Sequence, residues 1–473
     1  MSDVLFAAFA IILPWGVSAL WIGRVASSRK GGDWAIALGY GYFIGLLVTV
    51  ALLNVWDLVG LGLHVNLTAA VWLVAAGAWV LSLRFHGLLS TMSCRPRVRL
   101  PQGWREWLWL ALLALVAGRV LMLGLDAFWR PLTPWDAWLV WLYRAAVWAE
   151  FGTLVPFVKP GAWLPGEVSG AFTLDAHHYP KTISLIPTWV ALVVGEWNES
   201  LVLLPWVGAL VALLLGLYGQ VRRFGGAPWE AMLVVYLVAS LPMVASHTAL
   251  AGYADLWLAA TLALAATALW SWRRHGSWVS LLLALPLLIA VPTLKVEGWV
   301  WLLPLALGLI LAQLRPMILG GLTALVAGLA LFWLLTGGFR VSLPGLGEVV
   351  LSPAELSVPG LLSVGVGYSP EAWSALRHAL FVGGNWHLFW FVFVPVGVLG
   401  MYRCLVAPDL RAPMYTVLLA AFLLVLLFVF TEASQWVVSF TIVNRLLLHF
   451  VPMGVFVGWL VVHSGGRNEA SAT

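Results

Sequence analysis

"TISLIPTWVALVV", Thr182 to Val194, decides the fold, because it is apolar almost throughout and yet short. A helix of this length rises ~20 Å, against the ~30 Å hydrocarbon core of a bilayer. If it crosses, every later loop changes side. If it does not, the basic residues collect on one face: Arg24, Arg29 and Lys30; Arg84, Arg95, Arg97, Arg99 and Arg105; Arg222 and Arg223; Arg273 and Arg274; Arg315; Arg403 and Arg411; and Arg467. Cytoplasmic loops accumulate Lys and Arg, so the segment reads as re-entrant and that face as the cytoplasm.

The surrounding chain supports a membrane setting. Of 473 residues, 62% are hydrophobic and 10% charged, and the mean hydropathy is +0.97. Soluble domains carry about 25% charged residues. Apolar runs near 3–23, 35–53, 66–84, 106–125, 200–219, 228–248, 252–270, 277–293, 297–313, 316–336, 384–402, 413–431 and 444–463 predict about thirteen spans. The expected fold is an all-α, polytopic transmembrane bundle over 1–473 as a single domain, with the N-terminus outside and the C-terminus inside. "MSDVLFAAFAIILPW" lacks a basic leader and reads as a retained helix. The two cysteines, Cys94 and Cys404, both fall on the inner side and suggest no disulfide framework. A net charge of +5 reflects the inner arginines and is no nucleic-acid footprint.

The acids gather on the other face. One outer loop, 126–181, holds Asp126, Asp136, Glu150, Glu167, Asp175, His177, His178 and Lys181; a second, 336–381, holds Arg340, Glu348, Glu355, Glu371, Arg377 and His378. These loops are expected to carry amphipathic helices. Within the first, "TPWDAWLVWLYRAAVW" (Thr133–Trp148) places Trp138, Trp141, Leu142, Ala145 and Trp148 on one helical face, which predicts a helix lying along the membrane surface. Asp136 there has two readings: the acid of a capping box begun at Thr133, or a reactive carboxylate at the water boundary. Asp175, His177, His178 and Lys181 suit an anion or a metal, or a solvated turn. Asp255 is either a helix cap or a site acid, and Lys295 and Arg445 either snorkelling anchors or phosphate ligands. Arg119, about two turns inside its helix, calls for an anionic partner, Asp126 or a substrate phosphate.

Four stretches, "PWDAWLVWLYRAAVW", "AHHYPKTISLIPTW", "GYADLWLAATLAL" and "LKVEGWVWLLP", with the later "NRLLLHFVP", together resemble the motifs of the C-type superfamily of integral-membrane glycosyltransferases, related to protein O-mannosyltransferases and the lipid A aminoarabinose transferase. The resemblance implies transfer of a sugar from a polyprenyl-phosphate donor to an acceptor hydroxyl at the periplasmic face of a bacterial inner membrane. The acceptor would be a glycolipid, polysaccharide or protein. It implies Asp136 as the catalytic acid-base residue. Many relatives have an Asp-Glu pair where this chain has Asp136-Ala137, so Asp136 acts alone or Asp175 supplies the second carboxylate. Arg119, His177, His178, Lys181, Asp255, Lys295, Glu297 and Arg445 are the expected substrate-binding residues. A divalent metal on Asp136 and Asp175 is a competing way to stabilise the leaving phosphate. The alternatives are a transporter or flippase for a lipid-linked sugar, or a ligase or polymerase using a polyprenyl diphosphate carrier.

This topology is tested by single-cysteine labelling in sealed vesicles. Residues 136, 175, 255 and 295 should label from one side and residues 97 and 223 from the other; finding 136 and 97 on the same side contradicts it.

Overall fold

The computed structural model describes residues 2–26, 32–85, 101–130, 132–166, 168–337, 339–343, 347–352, 354–358 and 362–470. Arg29, Lys30, Cys94, Arg95, Arg97, Arg99 and Glu167 lie outside the described residues. The chain is nearly all helix and forms two compact units, one of Met1–Val300 with Val451–Phe456, the other of Trp301–Phe450 with Val457–Thr473.

In the first unit the long helices are α1 (Ser2–Ala26), α2 (Asp33–Leu58), α3 (Val65–Phe85) and α4 (Trp104–Trp129). A single wide turn, Ala137–Trp141, leads into α5 (Leu142–Phe151), followed by α6 (Pro160–Trp163) and a two-residue parallel pairing of β1 (Phe157–Val158) with β2 (Phe172–Thr173). Then come α7 (Thr182–Val194), α8 (Glu199–Val202), α9 (Leu204–Arg223), α10 (Pro228–Ser240), α11 (Pro242–Ala249), α12 (Asp255–His275) and α13 (Trp278–Leu294). Helix α14 (Glu297–Leu311) begins in this unit.

Among the described residues eight helices are long and apolar enough to cross a membrane, or nine if α10 and α11, bent by 65°, form one span. The chain is therefore a multi-pass membrane protein. The bend has a local cause: Leu241 precedes Pro242 and is extended, φ −65° and ψ 127°, because proline disfavours the helical conformation in the residue before it. Helix α7 instead continues through Pro187. Residues 182–191 of α7 are all buried, so its packing outweighs the one hydrogen bond proline removes.

The unit's helices pack through glycine. A Cβ at Gly39 of α2 would collide with the Gly216 backbone of α9, and one at Gly41 would stand 2.7 Å from the Ala19 nitrogen of α1. Such close approach supplies the van der Waals contact that holds helices together where hydrophobic burial does not distinguish protein from lipid. The helices also sort the polar groups to opposite ends. At one end Asp57 accepts from Thr153 Oγ1 and Leu154 N, both at 2.9 Å, and Glu199 accepts from Leu132 N at 3.2 Å. At the other, Arg223 pairs with Asp33 at 3.4 Å and reaches Ser280. Asp255 begins α12 and Arg273 and Arg274 end it, some ~30 Å apart.

The second unit holds the rest of α14, α15 (Pro316–Thr336), α16 (Glu371–Phe381), α17 (Phe389–Val406), α18 (Arg411–Phe430), α19 (Ser434–Val438) and most of α20 (Val443–Ala470). The loop at 336–381 is not only helical as expected. It folds as a four-stranded antiparallel meander, β3 (Phe339–Leu343), β4 (Gly347–Leu351), β5 (Glu355–Val358) and β6 (Leu362–Gly365), and only then enters the amphipathic α16. Proline and glycine cut this stretch into short segments rich in Val, Leu and Ser, too short for helix and suited to strands.

Gly39→Val should therefore cost about 1–3 kcal/mol or more by overpacking. A lowered Tm and reduced folded yield of the detergent-purified protein would show it; an unchanged Tm would deny the close crossing of α2 and α9.

Candidate functional site

The turn at Ala137–Trp141 carries the first element of the site. Ala137 N and Trp138 N both donate to Pro134 O, at 3.0 and 3.2 Å, and the chain then makes one turn wider than an α-helix. Such turns recur at functional sites because they re-aim the side chains that follow. Asp136 is half-buried and makes no capping hydrogen bond to the turn it precedes. Most of the tryptophan face packs into the protein: Trp141, Leu142, Ala145 and Trp148 are buried within the unit, while the wide turn leaves Trp138 42% exposed. Gly252 packs directly on this turn. A Cβ there would stand 2.5 Å from Ala137 Cβ, and φ is +107°, so both space and backbone require glycine.

That glycine opens the loop to Asp255, whose carboxylate is fully buried. Lys295 Nζ lies 3.1 Å from Asp255 Oδ1 and 2.9 Å from Glu297 Oε1. Lys295 itself is only 4% exposed. One ammonium between two carboxylates offsets one of their two negative charges, and the second carboxylate, Glu297, keeps some access to solvent. Each acid also begins a helix, α12 or α14, where the amide dipoles favour an anion. Glu297 Oε2, buried, takes no hydrogen bond among the described residues. His247, 7% exposed near the end of α11, has Nδ1 at 3.0 Å from Met243 O. A carbonyl only accepts, so Nδ1 carries the proton and Nε2 is the basic nitrogen. Its ring lies 5.6 Å from that of Tyr253, whose carbonyl accepts from Trp206 Nε1 at 2.7 Å.

The turn before α7, with Asp175, His177, His178 and Lys181, is held by a residue the sequence reading passed over. Arg144 is 2% exposed. Its Nε donates to Ser184 Oγ at 3.1 Å, Nη1 to Tyr179 O at 2.8 Å and Nη2 to Pro180 O at 2.6 Å. The guanidinium lies between the rings of Trp141 and Trp148, 5.7 and 5.2 Å from their centroids. Burial lowers its pKa from 12.5 to about 10, so it stays a cation at neutral pH. Arg144 thus pins the start of α7 and the turn before it. On that turn His178 stacks on Tyr179 at 4.9 Å, His177 is half-buried, and Asp175, His178 and Lys181 are exposed.

The structure brings Asp255, Lys295 and Glu297 together and places the turn bearing Asp136 against the Gly252 loop. Arg119 is exposed on α4, where burial was expected, and Asp126 pairs with Arg130 at 2.9 Å, one helical turn on. Arg445 is half-buried in the first turn of α20 in the second unit. There Asn444 Oδ1 accepts from Trp386 Nε1 and His449 Nδ1 from Trp301 Nε1, both at 2.9 Å. Among the described residues no group of three or more His, Cys, Asp and Glu side chains could hold a metal ion. His247 and Arg144 went unnoticed although both are ionisable residues in apolar helical stretches, a signal of function in itself. No protein-family model matches the sequence, and no curated protein or solved structure matches it.

Arg144→Met should leave the Tyr179 and Pro180 carbonyls unsatisfied, at about 1–3 kcal/mol each. The expected result is a lower Tm with faster proteolytic cleavage near residues 175–181. Arg144→Lys should recover only part of the loss, since an ammonium lacks the planar fork. Wild-type cleavage in both variants would contradict the clamp.

Proposed function

We propose that the chain is a glycosyltransferase of the C-type integral-membrane superfamily. It moves a sugar from a polyprenyl-phosphate carrier to the hydroxyl of a glycolipid, polysaccharide or protein at the periplasmic face of a bacterial inner membrane. In this reading about thirteen segments cross the bilayer and α7 is re-entrant. The observation that carries it is the Asp255–Lys295–Glu297 cluster, in which Asp255 and Lys295 are buried and whose loop packs through Gly252 on the turn bearing Asp136. Ionisable groups held at membrane depth are costly and mark substrate sites.

The chemistry assigns roles within the first unit. The acceptor oxygen attacks the anomeric carbon, the bond from that carbon to the phosphate oxygen breaks, and its electron pair leaves on the phosphate. The acceptor proton passes to Asp136, with Asp175 the second choice. Lys295 is already neutralised by two carboxylates, so it orients Glu297 and Asp255 and leaves the phosphate to others. The unpaired Glu297 Oε2 is the acceptor for a sugar hydroxyl. Lys181, exposed beside His177 and His178, offers charge to the leaving phosphate. A divalent metal is not required by this assignment.

A second reading, a transporter or flippase of the lipid-linked sugar, draws on the 65° break between α10 and α11, since discontinuous helices line transport sites. The enzyme reading is tested by sugar transfer with purified Asp136→Asn, with Tm recorded alongside. An amide cannot take the proton, so transfer should fall by about 10² to 10⁴ with donor binding retained and Tm nearly unchanged. Near wild-type turnover removes Asp136 from the chemistry.

A further inference from the structure

The second unit contains an apolar groove of about 280 Å³ bounded by α16, α17, α18 and α20. Leu376, Phe381, Leu424, Phe428 and Phe450 are among its lining residues, and Arg377 is the one charged residue there. Two polar groups at this groove lack partners. Arg377 is exposed and makes no hydrogen bond or ion pair among the described residues. Trp390, only 5% exposed, has an indole N–H with no acceptor among the described residues. A buried donor left unsatisfied costs free energy, and each such group calls for a partner.

We propose that this groove holds one hydrocarbon chain of an anionic bilayer phospholipid, with its phosphodiester on Arg377 and an ester or phosphate oxygen on Trp390 Nε1. The volume lies just below the ~300–1,000 Å³ of pockets that enclose a whole small molecule, which suits a single chain with its headgroup outside. The charge also matches: one guanidinium balances the single negative charge of a phosphodiester. Among the described residues no carboxylate or histidine lines the groove, so its occupant meets no reacting partner there, which separates it from a sugar-bearing carrier. Helix α16 is built for the headgroup level. Ala372, Ala375, Leu376 and Ala379 face the protein, while Trp373 is 46% exposed and Tyr368, just before the helix, 62%. Indole and phenol rings settle at that depth, and an amphipathic helix there presents its cation to lipid phosphates. The site stands apart from the proposed transfer reaction and does not rely on it.

The test is quantitative mass spectrometry of lipids that co-purify with the full chain in mild detergent, compared with the bulk membrane. Wild type should be enriched in anionic phospholipid. Arg377→Ala, an exposed substitution that leaves packing intact, should lower that enrichment about tenfold or more, the loss expected for a charge-assisted bond. Ala421→Phe, which fills the groove, should do the same; if it does not fold, Arg377→Ala decides alone. No enrichment in wild type, enrichment that survives loss of Arg377 and so reflects surrounding lipid only, or enrichment of a polyprenyl phosphate in place of phospholipid would each overturn the proposal.

Discussion

A buried lysine held between a fully buried carboxylate, Asp255, and a partly exposed one, Glu297, is the constraint around which the first unit is arranged. Lys295 joins the start of α12 to the start of α14 across 40 positions of sequence. Charges removed from water are tolerated only when each is compensated, and removing one member strands the others at a cost of about 3–5 kcal/mol. The pair therefore fixes where Asp255 sits. With it goes the loop from Gly252, which the Trp206 indole holds at Tyr253 and which meets the turn bearing Asp136. Helix packing alone would leave these loops free to slide. The ion pair gives them one register.

Arg144 plays the corresponding part for the segment before α7. Its planar fork engages two consecutive backbone carbonyls and a serine, and two indoles cover its faces. A loop that would otherwise be loosely solvated thus becomes an extension of the helical scaffold, and His177, His178 and Lys181 project from a fixed backbone. The two buried cations differ in task. Lys295 is a point charge that balances acids; Arg144 reads geometry and needs no acid at all.

Much of this was legible in the sequence, and the misses have physical causes. Long apolar runs report the bilayer, and among the described residues eight helices, or nine with α10 and α11 as one span, are long and apolar enough to cross it, against about thirteen expected. Asp255, Lys295 and Glu297 stood out because ionisable residues are rare at the ends of such runs. Their mutual pairing did not, since nothing local joins residues 40 apart. The tryptophan face failed for a different reason: regular helical spacing put Trp138 with Trp141, and one wide turn separated them. Arg144 went unread because two of its partners are backbone carbonyls, which leave no trace in sequence. The meander at 339–365 was missed because the loop was expected to be helical, although short segments between Pro and Gly also spell strands.

The central claim is that the chain breaks the bond between a sugar and a carrier phosphate, and does not carry the intact lipid across the bilayer. The most direct measurement is made on the purified chain in liposomes supplied with isotopically labelled polyprenyl-phosphate sugars and a membrane-glycan extract, with products separated by mass. The account predicts free polyprenyl phosphate and acceptors heavier by one sugar. Intact labelled carrier appearing in the opposite leaflet, with no sugar transferred, would contradict it.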